Sequence, residues 1–378
     1  MSHKESLRQS KSVLQIRYRD DTLRTTYNQY LDAFPADFYK VVVFMAGSDE
    51  TDVRETVIAD EVIFLDLSRK QLKGLRRQAR QQLVRIIGRV NPSVILAHRW
   101  KATTIAVAAL KTLGTEDVMV FSVVHALYQL QSLSRRLVGR FLLKKHCRFI
   151  GVSEAVREDV LQAGFGFSPE DVLALPNGVD IEKTRASLFS RNEARQLLGI
   201  PLEVKVVGHV GRLVRAKDQK TLISAFAKVY KVLPLSSLVI IGAGRFENDL
   251  KDQVKSLQIP ASVVIFAGAK EHAVRFMPAF DLFALTSVTE GFPRVLLEAM
   301  VCKIPIVATD RGGICEVLDT DAQLCQAGDV DGIARRLLES LQLDQESRQN
   351  LVAAGYKRVA ENFSSAIFSK RLLEFVQQ

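Results

Sequence analysis

Thr286-Ser287-Val288-Thr289-Glu290-Gly291-Phe292-Pro293-Arg294-Val295-Leu296-Leu297-Glu298-Ala299-Met300 is the most informative stretch of this chain. An apolar run precedes it at 282–285 and helical spacing of apolar residues begins inside it. It therefore reads as a strand, a loop and the opening of a helix. Pro293 suits the first helical turn, where its missing N–H costs nothing. Glu290 falls in the loop, and Glu298 lies further along the helix. A helix N-terminus offers unpaired N–H groups and a positive dipole end to an anion. Carboxylates beside it can accept hydrogen bonds from sugar hydroxyls. Two acids alone also fit a plainer reading, a charge stabilising the helix start and a surface glutamate.

Outward from this stretch, short apolar runs alternate with amphipathic segments. Strands are predicted at 13–18, 39–45, 61–67, 93–97, 118–125 and 148–152, and again at 205–210, 237–241, 263–267, 282–285 and 305–308. Helical patterns fill the gaps, among them 72–89, 217–230 and 294–301, and the tail from about 347 is mostly helical. Val- and Ile-rich strands separated by helices indicate parallel sheets covered on both faces. Two such series imply an α/β protein of two doubly wound, Rossmann-like domains. The turn signal Pro176-Asn177-Gly178 separates them. The expected division is 1–180, 181–355, and a C-terminal helix at 356–378 packing back on the first domain. Ligands of open α/β sheets bind beyond the carboxyl ends of the strands, so the residues just after each strand are the informative ones.

Gly208-His209-Val210-Gly211-Arg212-Leu213-Val214-Arg215-Ala216-Lys217-Asp218 ends the first strand of the second series. Gly211 permits close backbone approach. Arg212 as a fork and Lys217 as a point charge can both hold a diphosphate, and positive charge is needed where a leaving diphosphate gains charge. A solvated basic loop is the alternative. Gly242, in Ile241-Gly242-Ala243-Gly244, marks a tight strand-to-helix turn that could line a nucleotide pocket. His125, at a strand end in the first series, is a candidate sugar contact or a packed histidine.

Length and composition narrow the classes. The chain has 378 residues, 47% hydrophobic and 25% charged, enough for two soluble domains. No run approaches the roughly 20 apolar residues that span a bilayer, and the polar start lacks a secretory pattern, so the cytosol is the expected location. Cys147, Cys302, Cys315 and Cys325 show no C-x-x-C spacing and the histidines are scattered, so neither metal nor cofactor is expected. Two Asp-x-Asp pairs, Asp319/Asp321 and Asp329/Asp331, read as surface turns. The net charge of +10 is concentrated: 69–89 holds eight Lys/Arg and 135–148 six, without an acid in either. Such stripes attract polyanions or an anionic membrane surface, or are solvated helix faces. The first stripe contains no aromatic residue, which speaks against nucleic acid. Its apolar residues Leu72, Leu75, Leu83, Ile86 and Ile87, and Leu133, Leu137, Phe141 and Leu142 of the second, are expected to face mainly the core.

The Glu290–Glu298 string, with Pro305-Ile306-Val307-Ala308-Thr309 after it, resembles the E-x7-E signature of glycosyltransferase family 4. Gly211-Arg212, Lys217-Asp218 and Asn177-Gly178-Val179-Asp180 are similar to the same family. The motif resemblance covers 174–330, and only the strand pattern extends it to the first domain. It implies a GT-B fold, two Rossmann-like domains facing across a cleft, and metal-independent retaining transfer from a nucleotide sugar. It implies that Glu298 holds the ribose, Glu290 a sugar hydroxyl, Arg212 and Lys217 the diphosphate, and His125 the donor sugar, with Gly211, Gly291, Phe292 and Gly242 lining the donor pocket. No covalent nucleophile is implied.

Two departures stand out. Many relatives carry Gly-Gly after the first strand, whereas here the segment runs from Arg17 to Arg24 and the first glycine is Gly47. Arg17, Arg19 and Arg24 therefore become candidates for an acceptor bearing phosphate or carboxylate. Lys303 stands where relatives have Gly after a helix, at a local cost of up to about 1 kcal/mol. The expected activity is hexosyl transfer, with a UDP-linked donor, to an envelope glycolipid such as a lipopolysaccharide core, by an enzyme peripheral on the inner face of the cytoplasmic membrane. A transferase or synthase with a soluble sugar or sugar-phosphate acceptor is one alternative, and a non-catalytic nucleotide-sugar-binding protein another.

Overall fold

The computed structural model describes residues 11–19, 24–47, 56–74, 76–115, 117–164, 166–318 and 323–378. The chain divides into two compact units, one of residues 1–177 with 365–378, the other of 178–364.

The first unit is built on seven parallel strands: β1 (Ser12–Arg19), β2 (Tyr39–Ala46), β3 (Glu61–Phe64), β4 (Val94–His98), β5 (Val120–Val124), β6 (Cys147–Gly151) and β7 (Val172–Ala174). Their order is β3-β2-β1-β4-β5-β6-β7, a doubly wound sheet whose order reverses at β1. Val41, Val42, Val43, Ile95 and Leu96 are all fully buried, as strands covered on both faces must be. Into this apolar sheet are set Gln15, Arg17 and His98, each no more than 1% exposed. Their partners form the chain of hydrogen bonds described below.

The second unit repeats the plan with six strands: β8 (Lys205–Val210), β9 (Ser236–Ile241), β10 (Val264–Gly268), β11 (Leu282–Leu285), β12 (Ile306–Thr309) and β13 (Leu324–Cys325). The order β10-β9-β8-β11-β12-β13 again reverses at its first strand. Phe226, Leu222, Leu238, Ile240, Leu282 and Leu337 belong to its core. Arg195 is fully buried and fully engaged. It bonds to Asp281 Oδ2 at 2.8 Å and to the carbonyls of Pro201, Leu202 and Ala279. Asp281 also accepts from Val206 N at 2.8 Å. A buried charge is tolerable only when satisfied in this way; here it ties helix Arg191–Leu198 to the starts of β8 and β11.

The expected divisions shift slightly. Helix Gln345–Asn362 runs unbroken past 356 within the second unit, so 356–362 do not belong to the terminal helix. The break comes at Phe363, which is buried against Phe292 and whose carbonyl accepts from Val179 N. Helix Ser365–Gln377 then belongs to the first unit. There Phe368 meets Tyr30 edge-on at 5.0 Å, Phe375 meets Phe121 at 5.7 Å, and Arg371 donates to Ala174 O.

Lys303 has φ 54, the left-handed conformation expected of a glycine there, and its Nζ lies 5.1 Å from the centre of the Tyr356 ring. Of the Asp-x-Asp pairs, Asp319/Asp321 lie outside the described residues. Asp329 caps helix Val330–Leu341 by accepting from Gly332 N, and Asp331 pairs with Lys228.

Candidate functional site

In the second unit the loops after β8 and β11 are tied together. Val288 N donates to Ala216 O at 2.9 Å, and Thr286 Oγ1 donates to Asp218 O at 3.0 Å. This places Lys217 beside Glu290: Nζ to Oε1 is 2.5 Å, and Ser287 Oγ donates to the same oxygen at 2.6 Å. The two side chains are mostly buried, 17% and 12% exposed, and form an ion pair rather than two separate surface charges. Arg212, one residue beyond Gly211, is exposed to solvent. Helix Arg294–Val301 starts behind Glu290, with Pro293 at its cap position. Glu298 is half-buried on that helix. Burial raises its carboxyl pKa, and the Arg294 charge acts in the opposite direction.

Glycines make these turns possible. Gly242 has φ +149, and a Cβ there would lie 1.9 Å from Gly211 O. No side chain could be accommodated without moving backbone, so the turns after β8 and β9 are in direct main-chain contact. Gly313 plays the same part against Gly291 O, at 2.2 Å. Phe292 is buried against Phe363, so its side chain packs and only its backbone is left to line a pocket. Thus Gly211, Lys217, Glu290, Gly291 and Gly242 are brought into one cluster of turns, with Arg212 and Glu298 on the same elements.

Sequence reasoning missed the support behind this cluster. His209, fully buried in β8, donates from Nδ1 to Ala284 O at 2.9 Å. Its Nε2 therefore accepts from Gln219 Nε2 at 3.2 Å, and the same amide nitrogen donates to Arg212 O at 2.9 Å. Burial holds the His209 imidazole down to about 4, so it stays neutral. A polar residue inside the apolar run Val206-Val207-Gly208-His209-Val210 was the available signal.

The other candidates belong to the first unit. His125 follows β5, and its Nε2 lies 3.0 Å from His98 Nδ1. Burial, with Arg99 second, brings its pKa down to about 3. Arg17, expected as an acceptor-side residue, lies instead inside β1, 1% exposed, with Nε on Gln15 Oε1 at 2.8 Å and its guanidinium over the Tyr27 and Phe44 rings. The reason is register, since the side chain falls within the covered sheet rather than after its end. Arg19 ends β1 and Arg24 begins helix Arg24–Asp32, but the side chains of both lie outside the described residues.

The basic stripes part company. On helix Arg77–Val90 the apolar residues Leu83, Ile86 and Ile87 are buried, and so is Leu72 before it, as expected; Leu75 lies outside the described residues. In the second stripe, helix Leu133–Val138 continues into a wider turn at Gly139–Leu143. Here the core expectation fails: Leu133 is 76% exposed, Leu137 59% and Phe141 76%. They recur every four residues on one exposed face, beside exposed Arg140, Lys144 and Lys145. Arg76 bonds to Thr104, and its pKa is lowered by burial and then by the charge of Arg135, so the two stripes are near neighbours.

Among the described residues no group of three or more His, Cys, Asp or Glu is placed to hold a metal ion, and the four cysteines are unpaired. No helix among them is long and apolar enough to cross a membrane.

Comparison with known proteins gives two family models, described as Glycosyltransferase Family 4 on residues 25–183 and Glycosyl transferases group 1 on 190–358. A GDP-mannose-dependent monoacylated alpha-(1-6)-phosphatidylinositol monomannoside mannosyltransferase of Corynebacterium glutamicum is 32% identical over 54% of this chain and 55% of its own. N-acetyl-alpha-D-glucosaminyl L-malate synthase of Bacillus anthracis is 32% identical over 44% of each. The chain thus spans about half the length of the curated relatives it matches. Among solved structures, HepE of Anabaena in complex with UDP and glucose superposes with a TM-score of 0.80 at 22% identity, over 97% of this chain and 99% of that one. The two family matches fall one on each doubly wound unit, and together with the strand orders and the E-x7-E string they show that the chain belongs to the family 4-like glycosyltransferases of GT-B fold.

Proposed function

We propose that this protein moves a hexose from a nucleotide diphosphate sugar, UDP-linked, to an envelope glycolipid such as a lipopolysaccharide core, with retention and without a metal ion. The observation that carries the donor half is the Lys217–Glu290 pair set among the glycine turns at 211, 242 and 291, with exposed Arg212 following Gly211 on the same turn. In this reading Arg212 and Lys217 hold the diphosphate, Glu298 the ribose, Glu290 a sugar hydroxyl and His125 the donor sugar. The anomeric C–O bond to the diphosphate breaks and the acceptor oxygen bonds on the same face. The acceptor proton passes to the departing phosphate oxygen. The two cations stabilise the charge gathering there, so no cofactor is required.

The nucleotide is supported by the complex of HepE with UDP and glucose. The lipid acceptor is supported by the mannosyltransferase relative, whose name specifies an acylated phosphatidylinositol mannoside. The exposed apolar-and-basic face at 133–145 suits an anionic membrane surface at the cytoplasmic side, since it combines insertable residues with cations. The relative named for L-malate supports a second reading, a small soluble acceptor carrying carboxylate.

The test is to incubate the purified chain with UDP-glucose, UDP-galactose, UDP-N-acetylglucosamine and GDP-mannose, with and without extracted envelope glycolipid, and follow nucleoside diphosphate release. A glycolipid one hexose heavier by mass spectrometry is the expected product. Release stimulated by malate or sugar phosphates but not by glycolipid would establish the second reading instead.

A further inference from the structure

A continuous line of hydrogen bonds crosses three adjacent strands of the first unit, from Arg17 and Gln15 on β1, through His98 at the end of β4, to His125 just after β5. Arg17 Nε stands 2.8 Å from Gln15 Oε1. Gln15 Nε2 stands 3.0 Å from Tyr27 O and 2.8 Å from His98 Nε2. His98 Nδ1 stands 3.0 Å from His125 Nε2. Gln15 and His98 are 0% and 1% exposed, so water does not substitute for any of these partners.

The direction of every proton in this line is fixed from its far end. An arginine Nε only donates and a backbone carbonyl only accepts. The Gln15 amide is therefore oriented twice over: turning it round would set donor against donor at Arg17 and acceptor against acceptor at Tyr27. Its Nε2 accordingly donates to His98 Nε2, which accepts. The His98 proton is then on Nδ1 and points at His125 Nε2, which accepts in turn. A neutral His125 is left with its proton on Nδ1, and among the described residues that nitrogen has no hydrogen-bond partner. Ring packing holds the planes, with Tyr27 4.6 Å from His98 and 5.3 Å from His125, centre to centre, and Tyr30 5.0 Å from His98.

We propose that Gln15 and His98 are positioning residues that lock His125 in its Nδ1–H tautomer, so that it meets the nucleotide sugar as a neutral hydrogen-bond donor and not as a base or an imidazolium. The proposal rests on the reading of His125 as a donor-sugar contact. It explains why a largely apolar sheet buries Gln15, Arg17 and His98. Protonating His125 would bring two N–H groups face to face, in keeping with the depression of both histidines by burial and by neighbouring positive charge, Arg99 for His125 and Arg17 and Arg99 for His98.

The experiment begins with the unaltered full chain, labelled with [15N]histidine, in two-bond proton–nitrogen correlation spectra from pH 8 to pH 5. His98 and His125 are both expected as neutral Nδ1–H tautomers throughout; an Nε2–H tautomer or an imidazolium at His125 overturns the proposal before any variant is made. In Gln15→Glu the carboxylate can only accept, so His98 turns to Nε2–H and His125 must turn to Nε2–H as well. The expected result is an inverted His125 tautomer with kcat at least about tenfold lower and KM for the sugar nucleotide within about twofold, as for loss of one aimed donor. Turnover is read as diphosphate release from whichever of UDP-glucose, UDP-galactose, UDP-N-acetylglucosamine or GDP-mannose the wild type hydrolyses fastest. Should Gln15→Glu not fold, His98→Phe removes the same donor and is expected to leave His125 with both tautomers and a similar fall in kcat. His125→Ala separates the two claims. Wild-type turnover in His125→Ala removes the sugar contact, and the proposal with it. A large loss there, beside full turnover in a tautomer-inverted Gln15→Glu, removes the positioning role alone.

Discussion

Lys217 and Glu290 are held in contact by two loops that follow different strands, β8 and β11, and Ser287 shares the same carboxylate oxygen. With the pair mostly buried, neither charge is free to wander, and each is a pre-set partner for a ligand group that replaces the other. A diphosphate arriving at Lys217 and a sugar hydroxyl arriving at Glu290 would exchange an internal ion pair for two charge-assisted contacts. Exposed Arg212 needs no such exchange. The three residues should therefore act as a unit, with strongly non-additive substitutions.

Lys217→Ala is expected to lower turnover by about a hundredfold or more, and Arg212→Ala by a similar factor, as for loss of a donor aimed at developing charge. The double variant should be little worse than either. Glu290→Gln should keep the fold, because Ser287 and Lys217 still find an amide oxygen, yet raise KM and lower kcat together. Steady-state kinetics on the four proteins checks this. Two single variants with full turnover would remove the diphosphate assignment.

Chelation gives a separate check on the chemistry. If the two cations and a helix N-terminus neutralise the diphosphate, transfer should persist in EDTA with kcat unchanged within about twofold. Asp329 is occupied in capping a helix and Asp331 in an ion pair, so that pair is not poised for a metal. Complete loss in EDTA, restored by manganese or magnesium, would overturn the metal-independent mechanism.

Much of this architecture was legible in the chain, for a simple reason. Strands buried on both faces leave apolar runs that need no partner to be recognised, and those at 205–210 and 282–285 coincide with β8 and β11. The missed strands, Val172–Ala174 and Leu324–Cys325, are three and two residues long, too short to leave a run. Helix 72–89 starts later than its apolar spacing suggests, at Arg77, since Gly74 and a left-handed Arg76 precede it. The E-x7-E string and the Arg212–Lys217 loop were readable because each is local. The proton line through Gln15, His98 and His125 was not, because it exists only once β1, β4 and β5 are laid side by side. Likewise, spacing showed that 133–142 has an apolar face but could not show that, among the described residues, Leu133, Leu137 and Phe141 are left exposed.

Acid should weaken the fold through histidines held neutral inside it, His209 and His98 fully buried and His125 half-buried. His209 falls to about 4 and His125 to about 3 in the folded chain, and His98 is lowered as well. In the unfolded chain each returns to about 6.5. Between these values the unfolded state binds more protons, so stability rises with pH and is lost as pH drops below about 6.5. For His209 alone the loss amounts to about 2 kcal/mol by pH 5. Thermal melting is expected at clearly lower temperature at pH 5 than at pH 7.5, and His209→Gln should flatten that dependence. A melting temperature equal at both pH values would show that these rings are not buried as neutral groups.

The exposed face at 133–145 makes the membrane reading testable in two independent ways. Leu133, Leu137 and Phe141 each bring apolar surface that water now covers, and fully burying such a side chain is worth about 1.5–3 kcal/mol. Arg140, Lys144 and Lys145 each add on the order of 1 kcal/mol near anionic lipid. The ionic part is screened by salt and the apolar part is not. The wild type should sediment with vesicles of phosphatidylglycerol at low salt, bind phosphatidylcholine vesicles more weakly through the apolar part alone, and be released from phosphatidylglycerol only in part at high salt. Leu137→Ser with Phe141→Ser should leave low-salt binding but make release by salt complete. Arg140→Glu with Lys144→Glu should abolish binding even at low salt, while diphosphate release from soluble sugar nucleotide stays unchanged. Wild-type protein that ignores anionic vesicles at low salt would leave the exposed face without a lipid partner, and the soluble acceptor would become the better reading.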